Sequence, residues 1–371
     1  MATMIVRSLK IMVNNYSQFF SDQPLVKTFS EFQPLEEVIV GTPYHADTFD
    51  SSDKFSQEAK DLLKRVLTET AEDLEVLVDI LKKESVIVQR PKPLHNPLQK
   101  YTVGEFNIEY INQPLQPRDL IGFFGNKIIE AYTKDHSRYL ETLCSRDILK
   151  EYYMYGADWI SMPQPQLNKK TYHDYYRSGE ILFHSANLIK CGKDIFHSQS
   201  YQKDPTKGKG TEQGLHWYKQ QLPEFTFNEV PVGGHVDGKI ALIKPGLLLT
   251  WKKEWIPEKL KSWDCIIAES GTKFPEDFKT TRKQRFYKDY IERWLSHWIG
   301  YVDETVFDVN VLSISEDKVI CTGTDKEVFS QLEKNGVTPI YWKFRHQYFW
   351  DGGVHCLTSD VRRKGKQENY F

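Results

Sequence analysis

The sequence has no CxxC pair and only five cysteines, Cys144, Cys191, Cys265, Cys321 and Cys356, in 371 residues. An odd, scattered set argues against a disulfide framework and against a zinc site built on paired thiols. No apolar run approaches the roughly 20 residues of a membrane-spanning helix. Excess charge is missing too. With 49 Lys and Arg against 51 Asp and Glu, the net charge is −2, which points to neither nucleic acid nor membrane as a partner. No Ser/Gly/Pro-rich linker divides the chain, so residues 1–29 read as an N-terminal extension and 30–371 as a single domain. The opening "MATMIVRSLKIMVNNYSQFF" mixes polar and apolar residues without a small-residue cleavage site, so it does not read as a signal peptide and a cytoplasmic location is expected.

Aromatics, by contrast, are plentiful at 13%, which favours broad β surfaces and an aromatic-walled pocket over a helical bundle. Short β-branched runs predict strands at "EEVIVG", "SVIVQRP", "KIALIKPGLLLT", "DCIIAE", "VNVLSIS" and "DKVICTG". Helical periodicity is clearest over Gln57–Glu84. An amphipathic helix leading into a strand recurs at "LVDILKKESVIVQRP", "IPEKLKSWDCIIAES" and "VFSQLEKNGVTPIYWKFR". Such recurrence predicts an α/β array of similar modules. Two stretches stand apart. Residues 202–214, "QKDPTKGKGTEQG", read as an exposed loop, and the aromatic, charged stretch 273–303 reads as a surface helix or as a lid over a site.

The chemistry centres on "FWDGGVHCLTSDVRRKGK", where Cys356 follows Gly352, Gly353 and His355. Four of the cysteines sit in apolar or mixed surroundings and read as core thiols, and Cys356 differs. It reads either as turn filler or as a nucleophile, and a nucleophile needs a base to form thiolate. His235 in "VPVGGHVDGKIALI" is one candidate base, sitting in a Gly-rich turn with Asp237 two residues on. In an extended turn the two would face the same way. A turn histidine without chemistry is the plain alternative. His355 is a second candidate, although its ring is expected to point away from the neighbouring sulfur.

"GGHVDGKIALIKPGLLL" and "DGGVHCLTSDVRRKGKQENYF" together resemble the glycine amidinotransferase family, which carries a His-x-Asp before a strand and a Gly-Gly-x-His-Cys further on. "FQPLEEVIVGTP", "QPRDLIGFFGNKIIEA", "GADWISMPQPQL" and "NLIKCGKDIFHSQS" agree in order. The resemblance implies a five-bladed α/β propeller of pseudo-repeated ββαβ modules. It implies Cys356 as nucleophile, His235 as general acid/base, and Asp119 and Asp237 as pocket carboxylates, with no cofactor and no metal.

Departures from the family accompany these matches. Where arginine-using members carry a carboxylate, this chain reads "FHSAN", with His184 at the position and Asn187 closing the stretch. Losing a charged hydrogen bond of roughly 1.5–3 kcal/mol should weaken guanidinium binding more than tenfold. The arginine expected to hold the donor's α-carboxylate is replaced within "LTWKKEWIP" by Glu254, or by Lys253 on a small shift. A pair of family serines becomes acidic around Asp303 and Glu304. Two donors therefore stay open. The first choice is acyl transfer from a carrier-protein or other thioester to a primary amine or amino acid, and the alternative is amidino transfer from arginine. An acyl carrier protein and a homodimer are expected partners. Deimination and a non-catalytic binding relative are weaker readings.

Overall fold

The computed structural model of the chain describes residues 25–53, 55–95, 98–103, 106–108, 111–133, 135–165, 179–199, 209–269 and 306–371. Strand β1 (Leu35–Val40) is followed by helix α1 (Gln57–Lys83) and β2 (Ile87–Gln89). A small hairpin, β3 (Tyr101–Val103) and β4 (Phe106–Ile108), precedes the one-turn helix α2 (Pro117–Leu120). Then come β5 (Ile121–Phe124), β6 (Lys127–Glu130), α3 (Arg146–Met154) and β7 (Asp158–Ser161). The next group is β8 (Leu188–Cys191), β9 (Asp194–Ser198), α4 (Glu212–Gln221) and β10 (Thr226–Val230). Strands β11 (Ile240–Lys244), β12 (Leu247–Thr250) and β13 (Asp264–Ile267) follow. The rest is β14 (Leu312–Ser315), β15 (Lys318–Cys321), α5 (Lys326–Lys334), β16 (Thr338–Tyr341), α6 (Gln347–Trp350) and β17 (Thr358–Arg363).

The described strands form five three-stranded sheets of one build, besides the β3–β4 hairpin. In each sheet an antiparallel pair is extended by a parallel third strand: β5-β6-β7, β8-β9-β10, β11-β12-β13, β14-β15-β16 and β17-β1-β2. A parallel neighbour needs a crossover, and in four of the five sheets an α-helix supplies it. The fold is thus mixed α/β with the repeated module that the recurrence predicted. The fifth sheet is assembled from distant parts of the chain, because β17 pairs with β1.

One of the three helix–strand recurrences is corrected. Residues 256–264 form no amphipathic α-helix, and the connection into β13 holds short 3-10 turns at Lys253–Trp255 and Glu258–Leu260. Pro257 lacks an N–H and drives Ile256 into an extended conformation (φ −71°, ψ 116°), leaving too few residues before β13 to nucleate an α-helix. Residues 209–214 also depart from the exposed-loop expectation. Thr211 caps α4 by accepting from the Gly214 N–H, and both are buried. Lys27 and Thr28, on the extension side of the expected boundary, bond to Val361 and Gly125, so the packed body reaches back past residue 30. The proposed lid at 273–303, the rest of the 202–214 stretch up to residue 208, and Asp303 and Glu304 lie outside the described residues. No described helix is long and apolar enough to cross a membrane.

Helix α1 buries Ala59, Leu63, Val66, Leu67, Thr70, Leu74, Leu77, Val78 and Leu81, the i, i+3, i+4 stripe of an amphipathic helix. That stripe packs on Val38, Val40, Leu312, Ile320, Trp342 and Trp350. Trp350 Nε1 donates to Thr70 Oγ1 at 2.7 Å, which ties α6 and the turn after it to this core.

Candidate active site

The chain leaves α6 through Asp351, whose φ of 48° puts it in the left-handed region. Gly353 is forced by proximity. A Cβ there would stand 2.6 Å from Asn310 Oδ1 and 2.8 Å from Thr322 Oγ1. Close passage lets one asparagine organise the whole turn. Asn310 Oδ1 accepts from the His355 and Cys356 N–H groups at 3.0 and 3.3 Å. Its Nδ2 donates to Cys356 Sγ at 3.1 Å and to the Asp237 carbonyl at 3.2 Å. Cys356 therefore sits immediately before β17, buried, with its Sγ 3.6 Å from Asp237 Oδ2.

His235 and Asp237 reach the same place by a route the sequence did not suggest. Instead of an extended segment, residues Val236–Gly238 form a 3-10 turn that His235 precedes. His235 Nε2 lies 2.9 Å from His184 Nδ1, and its Nδ1 lies 3.8 Å from Asp119 Oδ1. Asp119, on α2, accepts from Arg138 through Oδ2 at 2.6 Å, and Arg138 is held in turn by Glu141 at 2.6 and 2.9 Å. His355 bonds the same carboxylate oxygen that lies beside the sulfur. Its Nδ1 meets Asp237 Oδ2 at 2.9 Å and its Nε2 meets Glu31 Oε2 at 3.2 Å.

A buried charge network lies behind the turn. Arg118 Nε donates to the carbonyls of His355 and Thr358 at 2.8 and 2.9 Å, while its Nη2 bonds Asp360 at 2.6 Å. Glu31 pairs with Lys190 at 3.2 Å and Asp360 with Arg363 at 2.8 Å. Burial alone would raise the pKa of Asp237. The hydrogen bond and charge of His355, with His235 and Arg118, outweigh it and hold Asp237 below the usual carboxylate range.

Cys356 is pushed the other way. Burial raises its thiol well above the ordinary value, and the charges of Asp237, Asp119 and Asp351 add to the effect against a smaller opposing hydrogen bond from Asn310. The thiol is thus protonated near neutrality, and its reactivity must rise with pH. Iodoacetamide labelling of Cys356, followed by peptide mass spectrometry, should be slow at pH 7 and still climbing above pH 9. Asp237→Asn should accelerate it at pH 8. A labelling plateau below pH 8 in the unmodified protein would contradict this electrostatic picture.

Among the positions singled out in the sequence, Cys356, His235, Asp237, Asp119 and His184 converge. Asn187 is fully buried and donates through Nδ2 to the Lys209 carbonyl at 3.0 Å, tying the end of "FHSAN" to the chain before α4. Glu254 is exposed on its 3-10 turn, beside Lys252, whose ammonium lies over the rings of Trp251 and Trp255 at 4.7 and 5.4 Å. Cys144, Cys191 and Cys321 are buried as expected, whereas Cys265 is only half-buried. Asn310, Glu31, Arg118 and Arg138 were not anticipated. Arg118 adjoins Asp119 in "QPRDL", and Asn310 opens the "NVL" run, which are the signals that were there to read.

No protein-family model matches the chain. The inosamine-phosphate amidinotransferase 1 of Streptomyces glaucescens is 30% identical over 378 residues, covering 93% of this chain and 99% of that protein. The chain belongs to the amidinotransferase family. The mitochondrial glycine amidinotransferase of Gallus gallus is 27% identical, with 93% of this chain and 85% of that one covered. Among solved structures, SxtG, an amidinotransferase from Microseira wollei in the saxitoxin biosynthetic pathway, aligns with a TM-score of 0.73 at 26% identity, over 94% and 100% of the two chains. The amidinotransferase fold is therefore the frame on which the Cys356 turn, the 235–237 turn and α2 come together, and it makes the chain a group-transferring enzyme by descent.

Proposed function

We propose that this family member transfers an acyl group from a thioester, carried on a carrier protein or another thiol, to a primary amine or amino acid. The observation that carries the reading is His184, an imidazole in contact with His235 at 2.9 Å, where the family resemblance expects a carboxylate for the guanidinium of arginine. The other end of arginine is altered as well. Exposed Glu254, or Lys253 on a small shift, replaces the expected arginine, and the neighbouring Lys252 ammonium is engaged with two indoles. A thioester carbon is neutral and needs neither clamp.

In this reading Cys356 Sγ attacks the thioester carbonyl as its proton passes to His235. The acyl–sulfur bond of the donor breaks, and the departing thiolate takes that proton. The amine nitrogen then attacks the acyl-cysteine, the new C–N bond forms and the C–Sγ bond breaks. His235 carries the proton lost by nitrogen to the departing Cys356 sulfur. Asp119 and Asp237 orient the acceptor amine, which attacks in its neutral form, its ammonium proton having been released to solvent on binding. Relatives named for inosamine phosphate and for saxitoxin biosynthesis support a setting in specialised small-molecule biosynthesis.

One observation favours amidino transfer from arginine instead. Asp119 Oδ1 and Asp237 Oδ1 are buried without a hydrogen-bond donor, and guanidinium N–H groups would supply donors. Intact-protein mass spectrometry after brief incubation with arginine or with a panel of acyl thioesters separates the two. An acyl-sized gain absent in Cys356→Ala is expected. An amidino-sized gain from arginine, absent in that variant, would replace the first reading with the second.

A further inference from the structure

We propose that Asp119, His184 and His235 form a binding site for a divalent ion of the zinc, cobalt and nickel class, and that occupation of this site switches off the chemistry of Cys356 by engaging His235. The inhibitory half rests on the role proposed above for His235, whereas the binding half stands on the donor atoms alone.

One ligand atom from each of the three residues lies within 4.8 Å of the other two, and all three residues are buried. Metal–ligand bonds of about 2.0–2.2 Å place donors around one ion roughly 3–4 Å apart. The His184 Nδ1 to His235 Nε2 distance of 2.9 Å is already close to that range. Small side-chain rotations close the remainder. The proton in the hydrogen bond between the two rings is what an ion would displace.

Asp119 supplies a second and independent pointer. Its Oδ2 is anchored by Arg138 at 2.6 Å, while Oδ1 is buried with no hydrogen-bond donor. A buried anionic acceptor of this kind calls for a cation. The anchor also fixes the carboxylate, and Glu141 fixes the anchor, so the oxygen is oriented before any ion arrives. Two imidazoles and one carboxylate suit borderline ions, while magnesium and calcium prefer all-oxygen sets. This chain's own substitution supplies the second imidazole, and a carboxylate at 184 would leave a set that holds borderline ions less tightly.

The test uses the full chain, stripped with a chelator and titrated with Zn2+ by calorimetry and with Co2+ by visible absorption. One equivalent per chain is expected. His184→Ala and His235→Ala should each weaken binding by at least about 100-fold, since even groups that merely support a ligand account for roughly 10–100-fold. His184→Asp, which keeps a donor, should retain the stoichiometry and serves as the control for folding. Cys356→Ala should also bind one equivalent. Zn2+ should block turnover with whichever donor labels Cys356, while its charge, offsetting that of Asp119, should speed iodoacetamide labelling of Cys356 in the unmodified protein and leave the labelling rate unchanged in His184→Ala. Absence of binding overturns the proposal, as does binding that survives His184→Ala but disappears in Cys356→Ala, which would place the ion on the thiol. Because the binding and labelling readouts use neither donor nor acceptor, the site can stand even where acyl transfer fails.

Discussion

Turnover with whichever donor labels Cys356 should fall by about 10²–10⁴-fold in His235→Asn, the range that a positioned acid/base supplies. The physical reason is the state of the sulfur. Burial and three nearby carboxylates keep Cys356 protonated, so attack requires a partner that accepts its proton as the bond forms. Asn fills similar space and can hydrogen-bond to His184 without taking up a proton. The donor's KM should move little, because the loss falls on the transition state. The pH dependence provides the sharper readout. The rate in the variant should rise steeply toward high pH, where hydroxide ionises the thiol directly, and the deficit should shrink there. Steady-state rates between pH 6 and pH 10 would decide the matter, and equal losses at every pH would assign His235 a purely structural part.

Arg118→Met should cost about 3–5 kcal/mol of stability, the usual consequence of removing one partner from a buried ionic network. Arg118 binds Asp360 and two carbonyls of the Cys356 turn, and lies 3.7 Å from Glu31. Burial favours the neutral form of Asp360, but Arg363, Arg118, Lys190 and His355 together hold it well below its ordinary pKa. Burial likewise acts against ionised Glu31, and Lys190, the His355 hydrogen bond and Arg118 reverse it. Both carboxylates thus have folded pKa values below their unfolded ones. Their stabilisation is complete above the unfolded carboxylate range, near pH 4, and disappears as pH falls through the lower folded values. Without Arg118 the folded values rise and the acid transition should move to higher pH. Urea unfolding at pH 7 and an acid titration, both followed by tryptophan fluorescence, would show the two effects. Unchanged midpoints in both would mean that Lys190 and Arg363 suffice.

How well the sequence predicted each feature depended on distance along the chain. Helix α1 announced itself through a sustained apolar stripe because that signal is local, whereas the run "KIALIKPGLLLT", read as one strand, is the β11–β12 hairpin turned at Pro245 and Gly246. The segment 256–264 misled because its charge and apolar spacing suit a helix, while Pro257 and the nearby strand leave no room for one. Cys356 and His235 stood out through their glycine-rich turns and the family resemblance they carry. Their supports did not. Asn310 is 46 residues from Cys356, and Arg118 is 237 from the His355 carbonyl it holds. The contact between His184 and His235 spans 51 residues, so the sequence marked both positions without showing that they touch.

The pairing of β17 with β1 also sets an order of assembly. Arg362 Nε donates to Glu36 at 3.1 Å across 326 residues of chain, so the sheet that holds β1 is completed only after β17 has been made. Closing so long a loop is slow, and until it closes β1 offers an open edge to other chains. Cys356, the proposed nucleophile, lies two residues before β17 and arrives with it. Until β17 docks, Cys356 has no fixed place beside Asn310 and Asp237. The proposed chemistry is therefore assembled by the same pairing that closes one edge of β1.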